Sequence, residues 1–194
     1  MKYPLLENAF TKEDLKKGSQ VLNSGKITMS HKTLFFEKKF AKKVNSKFSL
    51  MTNSGSSANL LSVAVACNPM RRKYLKPNDE VIIPSVCWST SLWPLVQYNL
   101  KPIFVDVNTD TLNIDITDLN KKITKKTKAI MCVHILGMST DMSEINKIVK
   151  KNKLILFEDT CESLGSQFNN KKLGTFGDFG TFSFYYSHQI TSGE

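Results

Sequence analysis

Strand-length apolar runs alternate with helical patterns along most of this chain. Four such runs cover residues 80–83, 102–107, 129–133 and 154–158, and segments with helical character lie between the first two runs and between the last two. This alternation is the pattern of a mostly parallel α/β sheet, in which a helix connects each strand to the next. The sequence therefore predicts an α/β fold.

The intervening segments carry helix signals. Thr11 is a typical N-cap residue, and the acidic Glu13 and Asp14 follow it in the first turn. Between the last two apolar runs, Met142, Ile145 and Ile148 keep a period close to 3.6 residues. Further helices are expected over 33–44, 58–67 and 90–97, and two more strands over 48–52 and 182–185.

Composition is that of an ordinary globular protein. The chain has 194 residues, of which 41% are hydrophobic and 23% charged. It contains no apolar run of about 18 residues, the length that a transmembrane helix needs. Residues 1–7 lack the apolar core of a signal peptide. We therefore expect no membrane partner and a cytoplasmic location.

Neither the cysteines nor the net charge indicates a metal site or a nucleic-acid interface. The four cysteines are widely spaced and form no Cys-x-x-Cys pair, so we expect reduced, buried thiols and no metal. The net charge is +10, but the lysines are scattered over helical patterns. The chain has only two arginines, the residues that most often read DNA bases. No nucleic-acid partner is expected.

A phosphate-binding turn is one interpretation of the stretch 53–58, Asn-Ser-Gly-Ser-Ser-Ala, which joins a predicted strand to a helix. Backbone amides at a helix N-terminus bind anions, and Gly55 permits close approach while Ser56 adds a hydroxyl. The alternative is an ordinary helix cap without a ligand.

Two side chains that suit a flat heterocycle follow predicted strands. Asp159 lies just after the run 154–158, and open α/β sheets bind ligands beyond the carboxyl ends of their strands. A carboxylate there can pair with a protonated ring nitrogen, or it can simply cap the next turn. Trp88 also follows a strand, where it can stack on a planar ring or pack in the core.

The segment 183–188, Ser-Phe-Tyr-Tyr-Ser-His, contains two further candidate functional residues. The hydroxyl of Ser183 can donate a hydrogen bond to a phosphate. His188, five residues later, can act as a general acid and base near neutral pH.

The order and spacing of these motifs resemble the DegT/DnrJ/EryC1/StrS aminotransferases across essentially the whole chain. The stretches 76–81, 102–107, 174–178 and 192–194 resemble the same family. The resemblance implies an aspartate-aminotransferase-like large domain over residues 1–194, with helices on both faces of the sheet. Because members of this family are longer and the chain stops at Glu194, we expect a truncated molecule without the small C-terminal domain.

By this resemblance the cofactor is pyridoxal 5'-phosphate or pyridoxamine 5'-phosphate, held non-covalently. The implied contacts are Gly55, Ser56 and Ser183 to the phosphate, Trp88 to the ring face, Asp159 to the ring nitrogen and Glu162 near the ring hydroxyl.

His188 stands where the aminotransferases of this family carry the lysine that binds the cofactor. An imidazole moves protons but cannot form the covalent link that a primary amine forms. The resemblance therefore narrows to the sugar 3-dehydratases, and among them to the GDP-4-keto-6-deoxymannose type of deoxysugar and lipopolysaccharide biosynthesis.

The implied partners are a GDP- or CDP-4-keto-6-deoxyhexose as substrate, glutamate as amino donor and a second copy in a homodimer. A sugar-nucleotide aminotransferase and an inactive truncated remnant are the alternative interpretations.

Overall fold

The computed structural model describes residues 9–28 and 30–192. The predictions for residues 1–7 and for the final Gly193-Glu194 lie outside this part. The chain forms two compact units, one made of Met1–Met51 with Phe184–Glu194 and the other of Thr52–Ser183. Each unit is described by itself.

Seven strands and six helices make up the described secondary structure. The strands are β1 (Glu80–Pro84), β2 (Lys101–Val105), β3 (Thr127–Val133), β4 (Ile155–Asp159), β5 (Gln167–Phe168), β6 (Lys171–Lys172) and β7 (Phe179–Thr181). The helices are α1 (Lys12–Asn23), α2 (His31–Val44), α3 (Gly55–Ala66), α4 (Ser89–Gln97), α5 (Ile116–Lys122) and α6 (Met142–Asn152), with a 3-10 turn at Ile135–Gly137.

The larger unit is built on a five-stranded sheet in the order β2-β1-β3-β4-β7. Every neighbouring pair in it is parallel, as the alternation of strands and helices predicts. The short strands β5 and β6 form a separate antiparallel pair.

Helices cover both faces of this sheet. Successive residues of a strand point to opposite faces. Accordingly, Ile83 packs in one core cluster with Val63 of α3 and with α4, while its neighbour Ile82 packs in a second cluster with Leu119 of α5 and with α6. All five residues of β1 and of β4 are buried. The predicted mostly parallel sheet with helices on both faces is therefore confirmed.

Two predicted strands are wrong. Residues 48–52 are not extended into a strand, because the side-chain hydroxyl of Ser49 donates to the Glu37 carbonyl (2.6 Å) and the Met51 amide to the Glu37 carboxylate (2.8 Å). These bonds to α2 take the place of a strand partner. The last strand is β7 and not 182–185, because its partner β4 ends at Asp159, which pairs with Thr181.

Helix starts follow the capping residues. Thr11 accepts a hydrogen bond from the Asp14 amide and forms a reciprocal capping box, so its predicted role is confirmed. Ser30 caps α2 through the Lys32 amide, which starts that helix two residues before the predicted position. Ser54 likewise caps α3 through the Ser57 amide, so Gly55 is the first helical residue.

Two kinds of feature are absent from the described residues. No helix among them is both long and apolar enough to cross a membrane. Residues 9–28 and 30–192 also contain no group of three or more His, Cys, Asp or Glu side chains that could hold a metal ion.

Gly180→Ala tests the close packing around β7. A Cβ at Gly180 would lie 1.9 Å from the carbonyl oxygen of Gly174, and backbone cannot yield as a side chain can. We expect the free energy of unfolding to fall by about 3 kcal/mol, measured by urea titration with circular dichroism. Gly18→Ala is the control, because no atom lies within 4 Å of its added Cβ. In helix α1 it should raise stability by less than about 1 kcal/mol. Equal effects of the two substitutions would contradict this account.

Candidate functional site

Asp159 is the last residue of β4 and is 5% exposed. Its Oδ2 accepts hydrogen bonds from Nδ2 of Asn59 and from Oγ of Ser91, both at 2.7 Å. Its Oδ1 accepts from the Cys161 amide at 3.1 Å. Asp159 thus caps the following turn with one oxygen, as one of the two sequence interpretations holds. The other oxygen is held by side chains of α3 and α4, at the end of the sheet where parallel folds bind ligands.

The start of α3 lies against the segment that follows β7. A Cβ on Gly55 would come within 2.9 Å of the Ser183 Cβ and 2.8 Å of the Cys161 Sγ, so no larger residue fits at this point. The structure therefore brings Gly55 and Ser183 together, next to the turn that Asp159 caps. Ser56 is exposed at the same helix start. Helix amides, a glycine and serine side chains form a surface that suits a phosphate.

The thiol of Cys161 lies inside this cluster, beside Gly55. Burial raises the pKa of Cys161, and the charge and hydrogen bond of Asp159 raise it further. Burial likewise raises the pKa of Cys132, which is fully enclosed. All four cysteines are free, as predicted, but only Cys132 is buried outright. A thiol of raised pKa is a poor nucleophile. Cys161 therefore contributes shape and a hydrogen bond to the cluster.

Trp88 lies at the N-cap position of α4 and its side chain is 72% exposed. Core packing, the alternative interpretation of this residue, is therefore wrong. The Trp88 carbonyl accepts a hydrogen bond from the Ser91 amide at 2.9 Å. Since the Ser91 hydroxyl reaches Asp159, the first turn of α4 connects the exposed indole to the buried carboxylate.

Glu162 is placed by a strained turn. Its Oε2 accepts a hydrogen bond at 3.0 Å from the amide of Leu136, in the 3-10 turn after β3. Leu136 has φ of 49°, in the left-handed region that a leucine rarely adopts. Strain of this kind concentrates at functional sites.

His188 belongs to the unit that contains Phe184–Glu194, whereas the other predicted site residues belong to Thr52–Ser183. Its amide donates to the Tyr185 carbonyl at 3.0 Å, and the two rings meet edge to face with centroids 5.6 Å apart. The imidazole Nδ1 is buried and has no hydrogen-bond partner among the described residues. Such a group is rare in folded proteins and is expected where a ligand or another segment supplies the partner.

Sequence reasoning missed a second buried carboxylate, Glu158, next to Asp159. It is 1% exposed. Its Oε1 accepts from the amides of Phe176 (2.6 Å) and Gly177 (2.8 Å), and its Oε2 accepts from the Gly174 amide (2.9 Å). Glu158 thus holds the loop that leads into β7.

His134 completes the surroundings of Glu158. Its Nε2 lies 3.3 Å from Oε2 of Glu158, and its Nδ1 accepts from the Thr140 amide at 3.3 Å. Because Nδ1 is an acceptor, the ring proton resides on Nε2 and is donated to Glu158. His134 is therefore a structural, hydrogen-bonded histidine, as its position at the end of β3 indicates.

Asn59, Ser91 and Thr181 were also missed. The sequence does contain a clue to Asn59, because it is the only amide side chain within the apolar helical stretch 58–67. A buried amide needs partners, so its position alone points to a polar network. Ser91 and Thr181 gave no signal, because small hydroxyl residues are common in any helix or strand.

Comparison with known proteins places the whole described arrangement in one family. The model of the DegT/DnrJ/EryC1/StrS aminotransferase family matches residues 8–194. The chain is 46% identical over 192 residues to GDP-4-keto-6-deoxy-D-mannose 3-dehydratase of Escherichia coli O55:H7, covering 99% of this chain and 49% of that relative.

Solved structures give the same picture. The E. coli GDP-4-keto-6-deoxy-D-mannose 3-dehydratase with bound hydrated PLP superposes with a TM-score of 0.94 at 46% identity, covering 100% of this chain and 49% of the other. A GDP-4-keto-6-deoxymannose 3-dehydratase with a trapped PLP-glutamate geminal diamine gives 0.94 at 45% identity, covering 100% and 50%. The aminotransferase-like fold is therefore confirmed, and the chain spans about half the length of the relatives it matches.

Glu158→Gln tests the buried carboxylate that the sequence did not reveal. The substitution replaces one acceptor oxygen by an NH2 group that faces amide donors, so at least one buried donor loses its partner. We expect the free energy of unfolding to fall by about 2 kcal/mol in urea titration. Glu144→Gln, which alters only an exposed pair with Lys147, is the control and should leave the unfolding midpoint near that of the wild type. A Glu158→Gln chain as stable as this control would contradict the proposed network.

Proposed function

Since this chain belongs to the DegT/DnrJ/EryC1/StrS aminotransferase family, we propose that it carries the cofactor-binding and proton-transfer residues of a sugar-nucleotide 3-dehydratase. The substrate class is a GDP- or CDP-4-keto-6-deoxyhexose, which loses its C3 hydroxyl. The relatives named above, at 45–46% identity, support this choice over the rest of the family.

The residues of the larger unit fit pyridoxal or pyridoxamine 5'-phosphate. Gly55, at which no side chain has room, and the neighbouring Ser56 and Ser183 would hold the phosphate. Asp159 would pair with the ring nitrogen, and the exposed Trp88 would cover a ring face. When bound, the cofactor supplies the amine that reacts with the C4 ketone and a ring that takes up electrons.

The observation that carries the proposal is the imidazole at position 188, where the family's aminotransferases place a lysine. No lysine occurs in residues 183–190. His188 cannot bind the cofactor covalently, but it can take up a proton and deliver it to a departing hydroxyl. Its Nδ1 is buried and has no hydrogen-bond partner within residues 9–28 and 30–192, which suits a nitrogen that exchanges protons with a bound reactant.

The proposed net reaction balances with glutamate. The 4-keto sugar and glutamate give the 3-deoxy-4-keto sugar, 2-oxoglutarate and ammonia, so that the C3 oxygen leaves the sugar and glutamate is oxidised. The relative with a PLP-glutamate adduct supports glutamate as the donor. Glu162 would lie near the ring hydroxyl, and a second copy of the chain would complete the site as a homodimer.

The assay that tests this function uses the purified protein that contains this chain, with pyridoxamine phosphate, glutamate and GDP-4-keto-6-deoxymannose. Mass spectrometry should detect a sugar nucleotide that lacks one oxygen atom, with ammonia and 2-oxoglutarate released in equal amounts. An amino sugar formed without ammonia would instead identify a sugar-nucleotide aminotransferase. No turnover by folded protein that binds the cofactor would contradict both activities and favour an inactive remnant.

His188→Gln should lower kcat for deoxygenation by at least about 100-fold, because glutamine keeps a polar side chain but cannot transfer protons near neutral pH. Binding of pyridoxamine phosphate should change much less, because the phosphate and ring contacts come from other residues. His31→Gln, at the start of α2, is the control and should retain wild-type kcat. Equal activity of the two variants would exclude His188 as the proton-transfer residue.

A further inference from the structure

We propose that Thr181 and Asn59 form a directional hydrogen-bond relay which, together with a direct hydrogen bond from Ser91, orients Asp159 toward its ligand. This inference rests on the proposed function, in which Asp159 pairs with the cofactor ring nitrogen. The three residues act through Asp159 and are therefore positioning residues. They come from three different elements, β7, α3 and α4.

The direction of the relay follows from Asp159. An ionised carboxylate only accepts hydrogen bonds, so the atom of Asn59 that lies 2.7 Å from Oδ2 must be the NH2 group. The carbonyl oxygen of the same amide then points away from Asp159. It lies 2.7 Å from the Thr181 hydroxyl, which must be the donor. Thr181 therefore donates a hydrogen bond to Asn59, and Asn59 in turn donates a hydrogen bond to Asp159.

Burial makes this relay effective. Asn59 is 1% exposed, Ser91 0%, Thr181 7% and Asp159 5%. At such sites water does not compete for the donors, and an amide turned the wrong way would oppose two oxygens at short distance. The Asp159 carboxylate therefore determines which end of Asn59 faces it, and the Thr181 hydroxyl holds Asn59 in that orientation by donating to its Oδ1.

Ser91 fixes the carboxylate from a second direction. Its hydroxyl donates to the same Oδ2 as Asn59, at the same distance of 2.7 Å. Two donors from α3 and α4 on one oxygen, with the Cys161 amide on the other, prevent the carboxylate from rotating about its χ2. A carboxylate that is already held in one orientation loses less conformational entropy on binding than a mobile one does. It therefore binds a ring nitrogen at a defined position more tightly.

The relay also links cofactor binding to strand pairing. Thr181 is the last residue of β7 and is paired with Asp159 in the sheet. The residue that orients Asp159 through Asn59 is thus its own neighbour on the adjacent strand. Any substitution that displaces β7 should disturb the site in the same way as loss of the hydroxyl.

The test compares Thr181→Val, which keeps the shape and removes the hydroxyl, with Thr181→Ser, which keeps the hydroxyl. In the ligand-free 194-residue chain, the Asn59 side-chain NH2 signals are assigned in a 15N NMR spectrum by their loss in Asn59→Asp. We expect Thr181→Val to raise the exchange of these protons with water by about tenfold or more, with Thr181→Ser close to wild type. Unchanged exchange in Thr181→Val would overturn the relay.

Cofactor binding provides the second measurement. Pyridoxamine phosphate labelled with 15N in its ring is titrated into each variant. Thr181→Val should weaken binding by about tenfold and reduce the protonated-ring signal of the bound cofactor, while Thr181→Ser should restore both.

The two measurements separate the relay from the function. If the wild-type chain binds no cofactor but the Asn59 protons respond as expected, the relay stands and the proposed function fails. If the wild type binds and Thr181→Val binds equally well with the same ring signal, the function stands and the positioning role is overturned.

Discussion

Two buried carboxylates at consecutive positions of β4 are the constraint on which the larger unit depends. Glu158 and Asp159 point to opposite faces of the sheet, because side chains alternate along a strand. A buried carboxylate is costly unless donors surround it. Donors to Asp159 come from α3, α4 and the turn after β4, and donors to Glu158 come from His134 and the loop before β7. Satisfying both groups therefore ties the surrounding elements to the end of one strand.

Close backbone approach is the second constraint at this end of the sheet. A Cβ on Gly177 would meet the Leu156 carbonyl at 2.5 Å, and one on Gly180 would meet Gly174. The loop can reach Glu158 only because these positions lack side chains. Gly55 has the corresponding role on the opposite side, where it allows the start of α3 to lie against Ser183. This end of the sheet therefore has glycines where chain segments come into close contact and hydrogen-bond donors where a carboxylate is buried.

The sequence predicts this fold well, and the site only in part. Apolar runs and capping residues such as Thr11 locate most strands and helices, because these signals are local. The final strand was misplaced, since its position depends on where β4 ends and not on its own residues. Gly55 and Asp159 could be proposed from motifs at the ends of elements. The hydrogen bond of Asn59 to Asp159 joins residues 100 positions apart, and no local pattern reports such a pairing.

The most direct test of this account is a titration of pyridoxamine phosphate into the purified 194-residue chain, followed by tryptophan fluorescence. Saturable quenching is expected that disappears in Trp88→Phe and is weakened in Gly55→Ala, because the exposed indole covers the ring and the glycine admits the phosphate. Trp93 remains in Trp88→Phe as an internal reference for folding. No saturable quenching in a chain shown by circular dichroism to be folded would contradict the claim that these residues form a cofactor site.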